Sequence, residues 1–430
     1  MACLNPRLMV FLSPLVFLMS PLPLTTAGEF NEDEAKVPAY SLPDPLTGAN
    51  GTPIKDAAAW RSQRRPELMQ LFEQEVYGRK PIGRPPGMTW RTVSEKNDAR
   101  EGRAIRREID INLFGRDDGP VVRLLLYVPV RATQTAPAPV FLGLNFEGNH
   151  ATTTEADIPL PNGWVPNNKG AGLNDNTPSE KTRGVQADRW LFDMALARGY
   201  AVATAYYGDL DPDIDDDFKN GVHAVTGKPQ AGEWGSIGTW AWGLSRMLDV
   251  LEKESGVDGK KAVVMGHSRL GKTALWAGAQ DERFAAVISN NSGCGGAALS
   301  RRIFGETVAR INTSFPHWFT SGYKKWNGRE ADCPVDQHQL IALIAPRPLL
   351  VTSATEDLWA DPKGEFLSLV GADPVYRLLG TSGLSITAQP PPDQLHNGPL
   401  AYLLRTGPHD ITATDWQAYL DFADTQLPAK

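Results

Sequence analysis

The sequence predicts an α/β protein, a mostly parallel sheet covered by helices on both faces. Three observations carry this. Apolar runs of strand length alternate with segments of helical period through most of the chain. Ahead of them, two strand-like runs, 104–114 and 121–130, are joined by a turn at 115–119, as in an antiparallel hairpin. A serine between glycines also sits where one strand passes directly into a helix. Composition agrees. Of 430 residues, 41% are apolar and 22% charged, a balance that buries a large core. The net charge of −7 offers no basic surplus for phosphates, which argues against nucleic-acid binding. Twelve tryptophans are open to two uses, core filling or flat platforms for sugars.

Residues 1–27 carry Arg7, an apolar run over 8–24 and Thr25-Thr26-Ala27 at a cleavage position. This is the layout of a secretory signal peptide, and Pro14, Pro21 and Pro23 interrupt it too often for a membrane anchor. The mature chain is therefore expected to be secreted or periplasmic, with no membrane span. Residues 28–103 read as an irregular lead-in and a helix over 60–77 packed on the main domain, which is expected to occupy 104–430. There follow a buried-type strand at 140–145, a long loop at 146–178, a helix over 183–198 stopped by Gly199 and a strand at 200–206. A second, Asp-dense loop fills 207–235. Trp240, Leu244, Met247, Leu248 and Leu251 share one helical face. Strands are expected at 261–265, 285–289 and 348–353, and helices at 269–280 and 415–426.

Ligands of such sheets bind at the carboxyl ends of the strands. After strand 261–265 comes Gly266-His267-Ser268-Arg269-Leu270-Gly271, one residue longer than the usual G-x-S-x-G elbow. The elbow exposes the Ser268 hydroxyl as a nucleophile and leaves the Arg269 N–H free to stabilise an oxyanion. This points to an α/β-hydrolase three-layer sandwich. Its chain order is Ser, acid, His. His409, in a loop before the last helix, is the expected base; His396 is the second choice and His338 is read as structural. The acid should follow strand 348–353, where Asp357 sits, with Glu356 as the near alternative. No CxxC pair or HExxH segment supports a zinc site, and no cofactor is expected. Once the signal leaves with Cys3, Cys294 and Cys333 remain. An oxidising compartment permits one disulfide between them, and a Cys294–Cys333 bridge is expected.

Residues 266–272 (Gly-His-Ser-Arg-Leu-Gly-Lys) and 289–296 (Ser-Asn-Asn-Ser-Gly-Cys-Gly-Gly) resemble the glucuronoyl esterases, secreted α/β-hydrolases acting on esters of 4-O-methyl-glucuronic acid in plant cell walls. The segments at 143–150 and 407–410 fit as well, and the similarity spans roughly 60–427. The resemblance implies Ser268 as nucleophile, His409 as base and an oxyanion role for the Arg269 side chain. Lys272 then matches the lysine that bonds the glucuronate hydroxyls, and Glu306 and Trp359 match the sugar contacts of bacterial members. Two departures stand out. His267 replaces the cysteine of fungal members. Asn291 takes the place where many members carry the catalytic glutamate, so the acid must come from elsewhere, and Asp357 resembles the alternative of some bacterial members. The implied substrate is a glucuronoxylan or lignin–carbohydrate ester, cleaved by a monomer. An acetyl xylan esterase of the same fold and a non-catalytic carbohydrate-binding protein are the competing readings.

Overall fold

A computed structural model describes residues 30–427. The expected signal peptide and Cys3 lie outside the described residues. The helix near the start, α1, runs over 57–77 with two wider turns inside it and buries Trp60, Leu68, Phe72 and Tyr77. Strand β1 (Thr89–Asp98) follows, unanticipated in the sequence because its mixed pattern leaves no residue fully buried. It pairs antiparallel with β2 (Ala104–Asn112), which pairs with β3 (Val121–Pro129), the expected hairpin.

The remaining strands form the parallel part of the sheet. They are β4 (Ala138–Asn145), β5 (Ala201–Tyr206), β6 (Val257–His267), β7 (Ala286–Asn290), β8 (Leu349–Ala354) and β9 (Leu400–Arg405). The nine strands lie in the order β1-β2-β3-β5-β4-β6-β7-β8-β9, with β3 antiparallel to β5 and every later pair parallel.

Side chains alternate across this sheet because successive Cβ atoms point to opposite faces. Ala262 and Val264 of β6 enter one core, Val263 and Met265 the other. The first core is closed by α1, α3 (Ser236–Leu251), α4 (Arg269–Gln280), α6 (Gln337–Ala342) and α7 (Pro362–Leu378), with the short α5 (Val308–Ser314) beside them. The second is closed by α2 (Phe192–Ala197) and α8 (Ala413–Gln426). The result is the three-layer α/β-hydrolase sandwich. Trp60, Trp190, Trp234, Trp240, Trp242, Trp276, Trp318 and Trp416 are buried, so core filling accounts for eight of the twelve tryptophans.

Three expectations need correction. The helix foreseen over 183–198 exists only as α2. Gly184 takes φ +74, and the N–H groups of Gly184 and Gln186 donate to His150 and Ala151 carbonyls, so this stretch is tied to the loop after β4 instead of coiling. The strand foreseen at 261–265 is longer at both ends.

The Cys294–Cys333 bridge is absent: both thiols are free and buried. Each packs into the first core as a small apolar group. Burial pushes both thiols up, Cys333 to about 12, which suppresses the reactive thiolate. Thiol titration of the unreduced protein is therefore expected to find Cys294 and Cys333 both unreactive in the native state and both reactive on unfolding. No reaction after unfolding would restore the bridge.

Candidate active site

Strand β6 ends at His267 and α4 begins at Arg269, so the whole reversal falls on Ser268, at φ 58 and ψ −128. A non-glycine residue at positive φ is strained, and here neighbours on both sides enforce it. The Ser268 N–H donates to the Asn290 carbonyl at 2.9 Å, tying the elbow to β7. A Cβ on Gly266 would meet the Leu270 carbonyl oxygen at 1.9 Å, so glycine is required where the strand passes under the helix. The expected elbow is present.

Asp357 follows β8 by three residues and His409 follows β9 by four. Because β8 and β9 pair in parallel register, Ala354 opposite Arg405, both loops leave the sheet side by side. His409 Nδ1 donates to Asp357 Oδ2 at 2.6 Å. The same oxygen accepts from the Asn291 amide at 2.8 Å. Burial pushes the Asp357 carboxyl up, but the hydrogen bond and charge of His409, helped by Asn291, hold it below the usual range. An ionised Asp357 fixes the proton on Nδ1 and leaves Nε2 as the acceptor, the tautomer a general base needs. The histidine is 40% exposed, open to a substrate.

The structure thus brings His409 and Asp357 together and leaves the alternatives elsewhere. His396 forms a bridge alongside β9 with Tyr402. His338 donates to the Pro43 carbonyl at 2.8 Å. Glu356 is exposed, its N–H bonded to the Gly407 carbonyl. The His267 ring lies 4.4 Å from the His409 ring, tilted by 44°. Its Nδ1 donates to Asn290, whose own amide is spent on Thr352 and Asp415. Burial and then the charge of His409 hold His267 well below its ordinary range, so it stays neutral beside His409.

Arg269 is the best-supported side chain at the site. Its Nη1 pairs with Asp213, and its guanidinium lies 4.8 Å from the Trp318 ring and 5.5 Å from the Phe315 ring. Asp213 also accepts from His317 at 2.8 Å and Trp318 at 2.6 Å. Burial raises the Asp213 carboxyl, but the His317 bond and Arg269 charge outweigh it and hold the group low. The carbonyls of His317 and Trp318 in turn accept the first N–H groups of α3, Ser236 and Ile237, so the support is fastened to the core. Neither Asp213 nor this use of His317 was foreseen; the Asp-dense loop at 207–235 was the only signal.

Lys272 and Glu306 are buried next to the elbow. Burial lowers the Lys272 pKa and raises that of Glu306, and each opposes the other's shift through its charge. Lys272 Nζ donates to the Ser292 carbonyl at 2.5 Å. The Glu306 N–H donates to the Trp359 carbonyl at 2.9 Å, which binds these two loops together. That approach needs Gly305 at φ +61, since a Cβ there would meet the same carbonyl oxygen at 2.4 Å. Trp359 is half-buried, with Arg310 5.9 Å over its ring.

Glu365, on the first turn of α7, went unnoticed in the sequence as one acid in a polar helix start. It is fully buried and accepts from the N–H groups of Ser292 at 2.7 Å and Gly293 at 3.0 Å, and from the Ser353 hydroxyl at 2.6 Å. It therefore holds the turn that carries Asn291 and the Lys272 acceptor. Burial pushes its carboxyl up to about 7. The folded state keeps this proton where the unfolded chain has lost it. The contribution of Glu365 to stability is thus fully present below the ordinary glutamate pKa and falls as pH rises toward 7, by about 3 kcal/mol. Glu365→Gln is expected to flatten that fall, measured by denaturant unfolding between about pH 4.5 and 7.5. An equal slope in variant and wild type would contradict the assignment.

Similarity to known proteins follows this geometry. The family model "Glucuronyl esterase, fungi" matches residues 228–380. "Carbohydrate esterase MZ0003", from an unknown prokaryotic organism, is 51% identical over 403 residues, 93% of this chain and 92% of its own. A structure described as a promiscuous CE15 esterase from the marine bacterial metagenome superposes with a TM-score of 0.87 at 50% identity, covering 93% of this chain and 100% of the other. The glucuronoyl esterase from Solibacter usitatus gives 0.85 at 44% identity, covering 91% and 100%.

Proposed function

Because the chain belongs to the glucuronoyl esterase family of carboxylic ester hydrolases, we propose that it cleaves the ester joining 4-O-methyl-glucuronic acid side chains of glucuronoxylan to lignin alcohols. The chemistry runs through a Ser268–His409–Asp357 triad. The observation that carries it is the 2.6 Å bond from His409 to the buried Asp357, with the His409 ring 4.4 Å from that of His267, the residue preceding the strained Ser268. Ser268 Oγ attacks the ester carbonyl while His409 Nε2 takes its proton. The carbonyl oxygen gains charge, met by the Arg269 N–H and guanidinium; one such donor is typically worth ~3–4 kcal/mol. The C–O bond to the alcohol breaks, and His409 returns the proton to the leaving oxygen. Water, deprotonated by His409, then attacks the glucuronoyl-serine and releases the acid and Ser268.

Lys272 and Glu306 bond the sugar hydroxyls and Trp359 walls the ring. Asn291, which stands where many members carry a glutamate, has a positioning role, its amide donating to Asp357 Oδ2 at 2.8 Å. The same reading has the chain exported to meet its polymer, working as a monomer. Among the described residues no helix is long and apolar enough to cross a membrane.

A relative described as promiscuous motivates the acetyl esterase reading. Benzyl glucuronate and acetylated xylan separate the two. Two charge-assisted bonds to the sugar are worth roughly 3–6 kcal/mol, so kcat/KM for the glucuronate ester is expected to exceed acetate release by about 100-fold or more. Release of acetate alone would reject the substrate.

A further inference from the structure

A cavity of about 520 Å³ opens at the same end of the sheet but on the far side from the proposed sugar contacts. Trp164, Asp209, Arg123, Pro212, Asn162 and Asn220 are among its lining residues. It lies over β3 and β5, whereas Lys272, Glu306 and Trp359 lie on the β7 and β8 side of Ser268. Three strand spacings separate β6 from β3, roughly 14 Å. One segment walls both sites. Tyr206, Gly208, Asp209 and Pro212 line the cavity, while Tyr207 and Asp213 turn to Arg269.

The chemistry of the cavity selects its ligand. Arg123 is held by Asp110 through two bonds of 2.7 and 3.0 Å, so its charge is not free for an anion. Asp110 is spent on Arg123 and Asp118 on Arg116, so the lining holds no unpaired cation to receive a free uronate. Asp209 receives the Arg123 N–H at 3.2 Å on one oxygen, and burial pushes its carboxyl up to about 7, so near neutrality it accepts or donates. Trp164 is half-buried, packed against the edge of the first core while lining the cavity, and its carbonyl is pinned by the Tyr206 hydroxyl at 2.8 Å. Carboxyl and amide groups around a flat aromatic suit a neutral ring with hydroxyls at its edge and C–H groups on its face.

We propose that this cavity binds a pyranose ring of a neutral xylan chain, one lying alongside the chain whose glucuronoyl branch enters the catalytic site. The choice of xylan rests on the function proposed above.

Unsubstituted xylotetraose, which carries no ester or uronate, is the probe, titrated calorimetrically into the full chain with Ser268→Ala to prevent turnover. Two further variants are compared in that background: Asp209→Ala, which removes a bonding group, and Ala224→Trp, which fills the mouth from an exposed position. Saturable binding, weakened at least tenfold in both, is the expected result. In the Ser268 protein, Ala224→Trp should turn over benzyl glucuronate within twofold of wild type, which verifies its fold. Absence of xylotetraose binding, binding indifferent to both variants, or binding of a neutral methoxyphenol in its place would overturn the proposal. Binding without any benzyl glucuronate turnover by wild type would instead uphold the cavity and contradict the catalytic reading.

Discussion

Ser268→Ala is expected to lower kcat on benzyl glucuronate by about five to six orders of magnitude, with KM little changed. The elbow does not hold the serine for packing. Its φ of 58 is imposed by β6, α4 and the bond to Asn290, all of which alanine retains. The variant should therefore fold and bind, and only the covalent step should vanish. His409→Ala should lose a comparable factor, because removing either the nucleophile or its base disables the same unit. The two losses should not add in the double variant. Near-normal turnover in Ser268→Ala would end the covalent mechanism, and near-normal turnover in His409→Ala would transfer the base to His396.

Asp357→Asn should cost about four orders of magnitude in kcat. The amide keeps the shape of the carboxylate but removes the charge that stabilises the imidazolium and the acceptor that fixes the proton on Nδ1. Two donors converge on Asp357 Oδ2, His409 at 2.6 Å and Asn291 at 2.8 Å. Asn291→Glu in the Asp357→Asn background places a carboxylate one hydrogen bond away and should restore part of the rate. Glu356→Gln, at an exposed side chain, should do little. A large loss for Glu356→Gln with little for Asp357→Asn would move the acid by one residue.

The parts of this site legible in the sequence are those fixed by the backbone. A strand that runs straight into a helix through Gly266-His267-Ser268 has one conformation available, so the elbow can be read from residue types alone. Asp357 was legible because it follows the run 348–353, where Pro348 and the β-branched Val351 and Thr352 favour a strand. The strand β9, which brings His409 to it, was not: five of its six residues are apolar, and periodicity does not separate a short buried strand from other buried segments. Helix α7 was missed because a polar start and an internal Pro374 blur its period.

The supporting charges were the least legible. Asp213 lies 56 positions from Arg269 and Glu365 73 positions from Ser292, and nothing local marks either one. The two cysteines misled for a related reason. Compartment and count permit a bridge, but packing decides it, and both thiols pack as core.

Labelling with a fluorophosphonate tests the central claim most directly, because it reacts only with a serine activated by a base. The expected result is one adduct per chain on the peptide carrying Ser268, lost in Ser268→Ala, strongly slowed in His409→Ala and Asp357→Asn, and slowed by free 4-O-methyl-glucuronate occupying the site. An unlabelled wild-type protein that still hydrolyses benzyl glucuronate, or an adduct on a different residue, would contradict the account.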